Sequence, residues 1–127
     1  MFYFISRKNG GFMPLWRTAG VDEQPMITIV RWRVLEITEG PCKGQRHLNG
    51  YCLENREGRA STQIVSFDPR KKICVTKSGR RYHLFGPSGF DGDGDYVWQI
   101  WSRSISTIDV SQEFQLSKIN REGLGRK

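Results

Sequence analysis

The sequence predicts a mainly β fold (β-rich α+β): a small barrel or strongly curved antiparallel sheet with one helix near residues 95–106. Three observations lead there. Turn chemistry recurs at short intervals, in Asn9-Gly10-Gly11, Gly40-Pro41, Asn49-Gly50, Asp68-Pro69, Ser78-Gly79, Gly86-Pro87 and the run from Gly89 to Asp95. The segments between these marks are rich in β-branched and aromatic residues and follow one another at roughly 8–12 residues, the spacing of a small sandwich or barrel. One stretch departs from that rhythm. Val97, Ile100, Trp101, Ile105 and Ile108 recur with helical spacing just after Asp93 and Asp95, either of which suits an N-cap. A strand is the competing expectation there, because Val97, Trp101 and Ile105 also satisfy alternation.

Taken in order, residues 2–5 form a first strand, followed by an irregular stretch through residues 13–16 and a loop ending at Pro25. Residues 27–37 make the longest strand candidate, with Arg31 and Arg33 on one face and Val30, Trp32 and Val34 on the other, where the Trp face enters the core. A shorter strand covers residues 46–53. Residues 62–67, 72–77 and 80–85 form a three-strand meander. Closing a two-residue turn at Ser78-Gly79 places Val75 opposite Tyr82 and Ile73 opposite Leu84 on one face. Thr76 and Arg81, Cys74 and His83, and Lys72 and Phe85 then pair on the other, while Phe67 approaches Ile73 and Val65 approaches Val75.

A chain of 127 residues with 37% hydrophobic, 12% aromatic and 26% charged residues fits one globular domain. Its core is expected over about residues 27–116, with residues 117–127 a frayed polar tail. No apolar run approaches the roughly 20 residues needed to span a bilayer. The N-terminal Met-Phe-Tyr-Phe-Ile-Ser-Arg-Lys puts its apolar block before its basic residues, the reverse of a signal peptide, so a cytoplasmic protein is expected. Cys42, Cys52 and Cys74 cannot all pair within one chain and lack the close spacing of zinc ligands; they are expected to be reduced structural thiols.

The net charge of +7 is unevenly distributed. Residues 61–90 alone carry a net +5, whereas residues 91–127 carry −1. Arg70, Lys71 and Lys72 fill one hairpin loop, Lys77, Arg80 and Arg81 flank the next, and His83 and Phe85 share a sheet surface with Arg81 and Lys72. Cations around an aromatic platform are the combination by which small barrels hold nucleic acid, and Arg31 and Arg33 would extend the surface. The same charges would equally make a solvated outer face that discourages edge pairing. Tyr96 and Trp98 fall off the helical apolar stripe and are candidates for a partner-binding surface.

Catalytic and metal signatures are weak. Asp91, Asp93 and Asp95 open like a calcium loop, but Tyr96 stands where glycine is required and Ser102 where a bidentate glutamate belongs. Cys74 and His83 suggest a nucleophile and base without an orienting acid, and His47 is unplaced. No metal, cofactor or enzymatic activity is expected.

His47-Leu-Asn-Gly-Tyr51, Gly58-Arg-Ala-Ser-Thr62, Phe67-Asp68, Thr76-Lys-Ser-Gly-Arg-Arg-Tyr-His-Leu84, Gly86-Pro-Ser-Gly89 and Tyr96-Val-Trp-Gln-Ile-Trp101 resemble segments of small, mostly uncharacterised bacterial proteins associated with mobile DNA such as plasmids, phages and gene cassettes. The resemblance implies a small cytosolic accessory protein and brings no activity with it. The leading expectation is a non-enzymatic module whose meander over residues 61–90 contacts nucleic acid or a ribonucleoprotein. The alternative is an accessory protein that binds or inhibits a host protein through its basic or aromatic surface. An acidic protein surface would suit the first face, and open sheet edges or exposed aromatics would support a homodimer.

Overall fold

A computed structural model of the chain describes residues 3–5, 15–17 and 20–115. Eight strands enter one sheet: β1 (Tyr3–Ile5), β2 (Leu15–Arg17), β3 (Met26–Ile37), β4 (Arg46–Cys52), β5 (Glu57–Asp68), β6 (Ile73–Thr76), β7 (Arg81–Leu84) and β8 (Thr107–Asp109). Helix α1 (Gly92–Ser102) lies between β7 and β8, and a short second helix, α2, covers residues 111–115. The mainly β expectation is met, with a second helix beyond the one expected. β2 replaces the irregular stretch expected near residues 13–16 and pairs antiparallel with β1.

β3 to β7 form an up-and-down meander that closes on itself. Each strand reverses its predecessor, so the first and fifth run the same way and the closing contact must be parallel. It is: Ile27 aligns with Tyr82 and Ile29 with Leu84 in a parallel β3–β7 pair. So small a ring needs strong local curvature, and register shifts supply it between Val30 and Arg33, between His47 and Asn49, and between Ile64 and Ser66.

The first shift changes the phase of β3. Ile27 and Ile29 point inward before it, Trp32 and Val34 after it, and Arg31 at the bulge has φ of 47°. Val30, expected beside Trp32, therefore sits half-buried on the outer face. Gly50, expected in a turn with Asn49, lies inside β4 against this bulge. A Cβ there would come within 2.8 Å of Ile29 Cγ2 and 2.9 Å of Val30 O, so only glycine fits.

The ring interior is graded. Ile27, Ile29, Trp32, Val34, Leu48, Cys52, Cys74, Tyr82 and Leu84 form its apolar core, closed at one end by Val110 and by Phe114 of α2. Ser111 Oγ accepts from Val34 N at 2.8 Å, and Phe114 meets Phe67 at 4.7 Å between ring centroids. The opposite end is polar. Arg59, 1% exposed, donates from Nη2 to Glu57 Oε2 at 2.6 Å, while Gln24 and Asn55 clasp each other through reciprocal amide bonds of 2.8 and 2.9 Å.

Helix α1 covers β4 and β5 from outside. Asp91 is its N-cap, its side chain accepting from Gly94 N at 2.8 Å, so the helix starts earlier than the expected Asp93 or Asp95 cap. Gly94 sets the phase: a Cβ on it would lie 2.6 Å from Gly50 O, and one on Gly58 would collide with Asp93. With Gly94 against the sheet, Val97 and Trp98 are buried and Trp101 partly so, while Ile100 faces solvent. Arg103 and Ser104, both at positive φ, end the helix before Ile105 and Ile108, which are exposed.

The meander register is one residue away from expectation. Cys74 pairs with Tyr82, Val75 with Arg81 and Ile73 with His83. Gly79 N donates to Thr76 O at 2.8 Å and Thr76 N to Arg80 O at 3.1 Å, with Gly79 at φ of 95°. The loop thus spans Lys77-Ser78-Gly79, a turn followed by a left-handed glycine, instead of two residues. Cys74 and Thr76 turn inward in place of Ile73 and Val75. β5 follows suit, with Phe67 opposite Cys74, Ser66 opposite Val75, and Val65 exposed at a bulge.

Candidate nucleic-acid interface

Helix α1 shields β4 and β5, and among the described residues no helix packs on the β3–β7–β6 wall of the ring. Cross-strand register arranges its outer residues in rows. Met26, Arg81 and Val75 form one row, Thr28, His83 and Ile73 the next, and Val30 lies beside Tyr51 of β4 in the last. Phe85 continues β7 at that level, its N–H donating to Ile29 O at 3.0 Å. Arg81, His83 and Phe85 therefore share the outer face, as the sequence suggests, because strand alternation is indifferent to the one-residue error in the partner. Phe85 is 57% exposed, and the His83 ring meets it edge-on at 6.2 Å.

Exposed cations stand at both ends of this wall. Lys77 and Arg81 lie at one, Arg70 and Lys71 at the other. The Arg70 and Lys71 loop is fixed by Asp68, whose Oδ1 accepts from both backbone N–H groups at 2.9 and 3.2 Å. Those bonds and the adjacent cations hold the Asp68 carboxyl below its ordinary range. Glu54 also borders the wall, taking the Thr28 N–H and hydroxyl at 2.8 Å each. These bonds outweigh its desolvation and lower its pKa as well.

Four candidates do not sit as expected. Arg80 is only 5% exposed and donates from Nε to Gln24 O at 3.0 Å, closing the polar end of the ring. Lys72, at φ of 59°, turns to the apolar end, with Nζ 3.4 Å from Phe114 O and 5.2 Å from the Trp32 ring centre. Both belong to the ring's closures, a consequence of the shifted register. Arg31 and Arg33 are on the outside but engaged by the start of α1: Arg31 Nε meets Asp91 Oδ1 at 2.9 Å and Arg33 Nη2 meets Asp95 Oδ1 at 2.7 Å. Half of the Arg31 side chain remains accessible, its guanidinium 4.9 Å from the Tyr51 ring centre.

The aromatic pair divides. Tyr96 is 40% exposed, but Trp98 is 3% exposed because the Gly94 contact rotates it into the helix–sheet seam. There it packs at 5.1 Å from Trp101 and 5.8 Å from His47. Trp98 thus offers no free ring to a partner. His47, unplaced by sequence, lies beneath the helix with Nδ1 2.9 Å from Ser61 O, and burial pushes its pKa down.

The Cys74 and His83 pairing is also corrected. The thiol points into the ring and the imidazole out of it, and burial pushes the Cys74 pKa up to about 12, so the two have no shared chemistry. Among the described residues no cluster of three or more His, Cys, Asp or Glu is placed to hold a metal. The acidic run instead caps α1 and neutralises arginines.

Sequence reasoning missed Tyr51 and Val30 as members of the wall, since only the bulge at Arg31 turns Val30 outward. The Asn49-Gly50 pair was a usable signal of close approach. Asn49 accepts from Arg33 Nε at 2.9 Å and donates to Gly94 O at 2.7 Å, tying the helix start to the sheet. Among the described residues, no helix is long and apolar enough to cross a membrane. No protein-family model, curated protein or solved structure matches this chain.

Proposed function

We propose that the protein is a non-enzymatic nucleic-acid-binding module that works through the β3–β7–β6 wall. One observation carries this reading: a sheet face that no described helix covers presents Phe85 and His83 in line with Arg81, and exposed cations bracket it at both ends. Lys77, Arg81, Arg70 and Lys71 are spaced along the strand direction. From Met26 to Val30 the wall rises four residues, or about 13 Å at ~3.3 Å each, a length over which a polyanion meets both cationic ends. Their charge is sequence-independent in what it attracts, so this part of the surface supplies affinity, not base choice. A role as a cytoplasmic accessory protein of mobile DNA fits the resemblance noted in the sequence.

The test is salt-dependent binding of labelled oligonucleotides. If all four cations neutralise phosphates, the slope of log K against log salt is about −3 for a single strand, or an affinity loss of about 50-fold between roughly 50 and 200 mM salt. Lys77→Glu with Arg81→Glu should weaken binding and flatten the slope, without unfolding the chain. Absence of binding to single strands and duplexes alike at low salt would sink the reading.

A second reading has its own observation. Tyr96 and Ile100, one helical turn apart on α1, are each 40% exposed and form a small apolar ridge on the side opposite the wall. Docking of a host protein there predicts a complex that survives nuclease and is lost on Tyr96→Ala, with nucleic-acid affinity unchanged.

A further inference from the structure

Resting on the nucleic-acid reading, we infer that the ligand of this wall is a splayed single strand, with one base stacked on Phe85 and a neighbouring base on the Arg31–Tyr51 pair. Phe85 and Tyr51 flank Val30 on opposite sides of β3. Their strands are therefore two sheet spacings apart, roughly 10 Å. Both platforms reach solvent: Phe85 is 57% exposed, and the Arg31 side chain, half of it accessible, holds its guanidinium 4.9 Å from the Tyr51 ring centre. A guanidinium plane accepts a base face much as an aromatic ring does.

Duplex geometry does not match this arrangement. Bases in a double helix are stacked on one another at about 3.4 Å per step and present only their edges to a protein. Two platforms at roughly three times that separation require bases whose faces are free, which an unpaired strand provides.

The region between the platforms favours the same ligand. Among the described residues, Val30 between them and Thr28 and His83 beneath are short or planar side chains, which give this part of the wall no ridge to enter a groove. Gly89, which donates to Trp32 O at 2.8 Å, holds the loop after Phe85 close beside Arg31, within 3.6 Å of its Cα for a Cβ built there. That loop is therefore strapped to β3 on both sides of the bulge, through Phe85 and Gly89, and fixes the spacing of the platforms. Asp91 holds the Arg31 Nε at 2.9 Å, which restrains the guanidinium beside the Tyr51 ring.

The experiment is fluorescence anisotropy with a short mixed-sequence DNA oligonucleotide, its RNA counterpart and the annealed duplex, measured on the intact chain and on Phe85→Ala and Phe85→Trp. Because Phe85 is exposed, both variants should keep the parent's circular dichroism and melting temperature. The single strands should bind more tightly than the duplex. Phe85→Ala should cost about 5–150-fold in single-strand affinity, the effect of one lost stack, at an unchanged salt slope; Phe85→Trp should retain affinity. Duplex binding as tight as single-strand binding, with Phe85→Ala indifferent, overturns the single-strand inference while leaving nucleic-acid binding in place. Failure of every oligonucleotide to bind overturns both.

Discussion

Replacing Gly94 by alanine tests how α1 is seated, and a second glycine two residues away supplies its control. A Cβ at Gly94 would lie 2.6 Å from Gly50 O and 3.1 Å from Gly50 Cα. Carbon contacts are comfortable near 3.5–4.0 Å, so the start of the helix must retreat by roughly 1 Å. Overpacking of that kind costs about 1–3 kcal/mol. The retreat also strains the buried Asn49 Nδ2 to Gly94 O bond of 2.7 Å, and leaving such a group unpaired costs about 1–3 kcal/mol more. Alanine's better helix propensity returns up to about 1 kcal/mol, leaving a net loss near 2–4 kcal/mol. At about 4 °C per kcal/mol for a chain of this size, melting should fall by about 8–16 °C. Gly92 is in the same helix with nothing within 4 Å of its Cβ position, so Gly92→Ala should be neutral or stabilising by up to about 1 kcal/mol. Urea denaturation of both variants with an unchanged m-value decides the matter. A Gly94→Ala protein within about 0.5 kcal/mol of the parent, a change typical of an uninvolved surface site, would refute the proposed close contact.

Other consequences concern buried polar groups. Glu57→Gln should destabilise by about 3–5 kcal/mol, because it strips the charge from the partner of a fully buried Arg59, whereas Glu57→Leu combined with Arg59→Met should be neutral or stabilising; equal losses in both, by chemical denaturation, would contradict this. Of the three thiols, only half-buried Cys42 should react promptly with a disulfide reagent in the native state. Cys52 and Cys74 are held protonated by burial, Cys74 with a pKa near 12, and should react only as the chain opens; three equally fast thiols would refute their inward placement. Burial lowers the His47 pKa relative to the unfolded chain, so the unfolded state binds more protons below about pH 6.5. Its contribution to stability is present above that value and is lost as pH falls through the lower folded pKa; melting curves from pH 7 to 5 should show a drop that His47→Gln reduces, and an identical drop in that variant would discount His47.

Local chemistry made the strands legible and their phase illegible. The β3 segment was visible in its run of β-branched and aromatic residues, and inward Trp32 and Val34 followed from alternation. Nothing local marked the bulge that sends Ile29 and Trp32 to the same side, since its cost is met by Gly50 on another strand. The meander failed for a related reason. Ser78-Gly79 fits a two-residue turn or a three-residue turn ending in a left-handed glycine equally well, and the choice moves every partner by one. The inward set is then Cys74, Thr76, Tyr82 and Leu84, a mixed group that polarity sorting rejects. It is tolerated because Thr76 has partners for its hydroxyl: Ser78 Oγ at 3.1 Å and Arg80 O at 3.3 Å.

The same shift redistributes the charge that drew attention to residues 61–90. Of the six cations there, Arg80 and Lys72 close the two ends of the ring, so only Arg70, Lys71, Lys77 and Arg81 face solvent. Arg31 and Arg33, which composition counts as further positive charge, are offset locally by Asp91 and Asp95. The acidic loop therefore narrows the basic surface to the ends of one wall. It also engages the Arg31 Nε, with the guanidinium 4.9 Å from the Tyr51 ring centre. A surface with four exposed cations and two planar platforms should combine a salt slope of about −3 with a large response to loss of a ring. Binding by charge alone through the same cations would show that slope without the ring response, so the Phe85 substitution separates the two accounts.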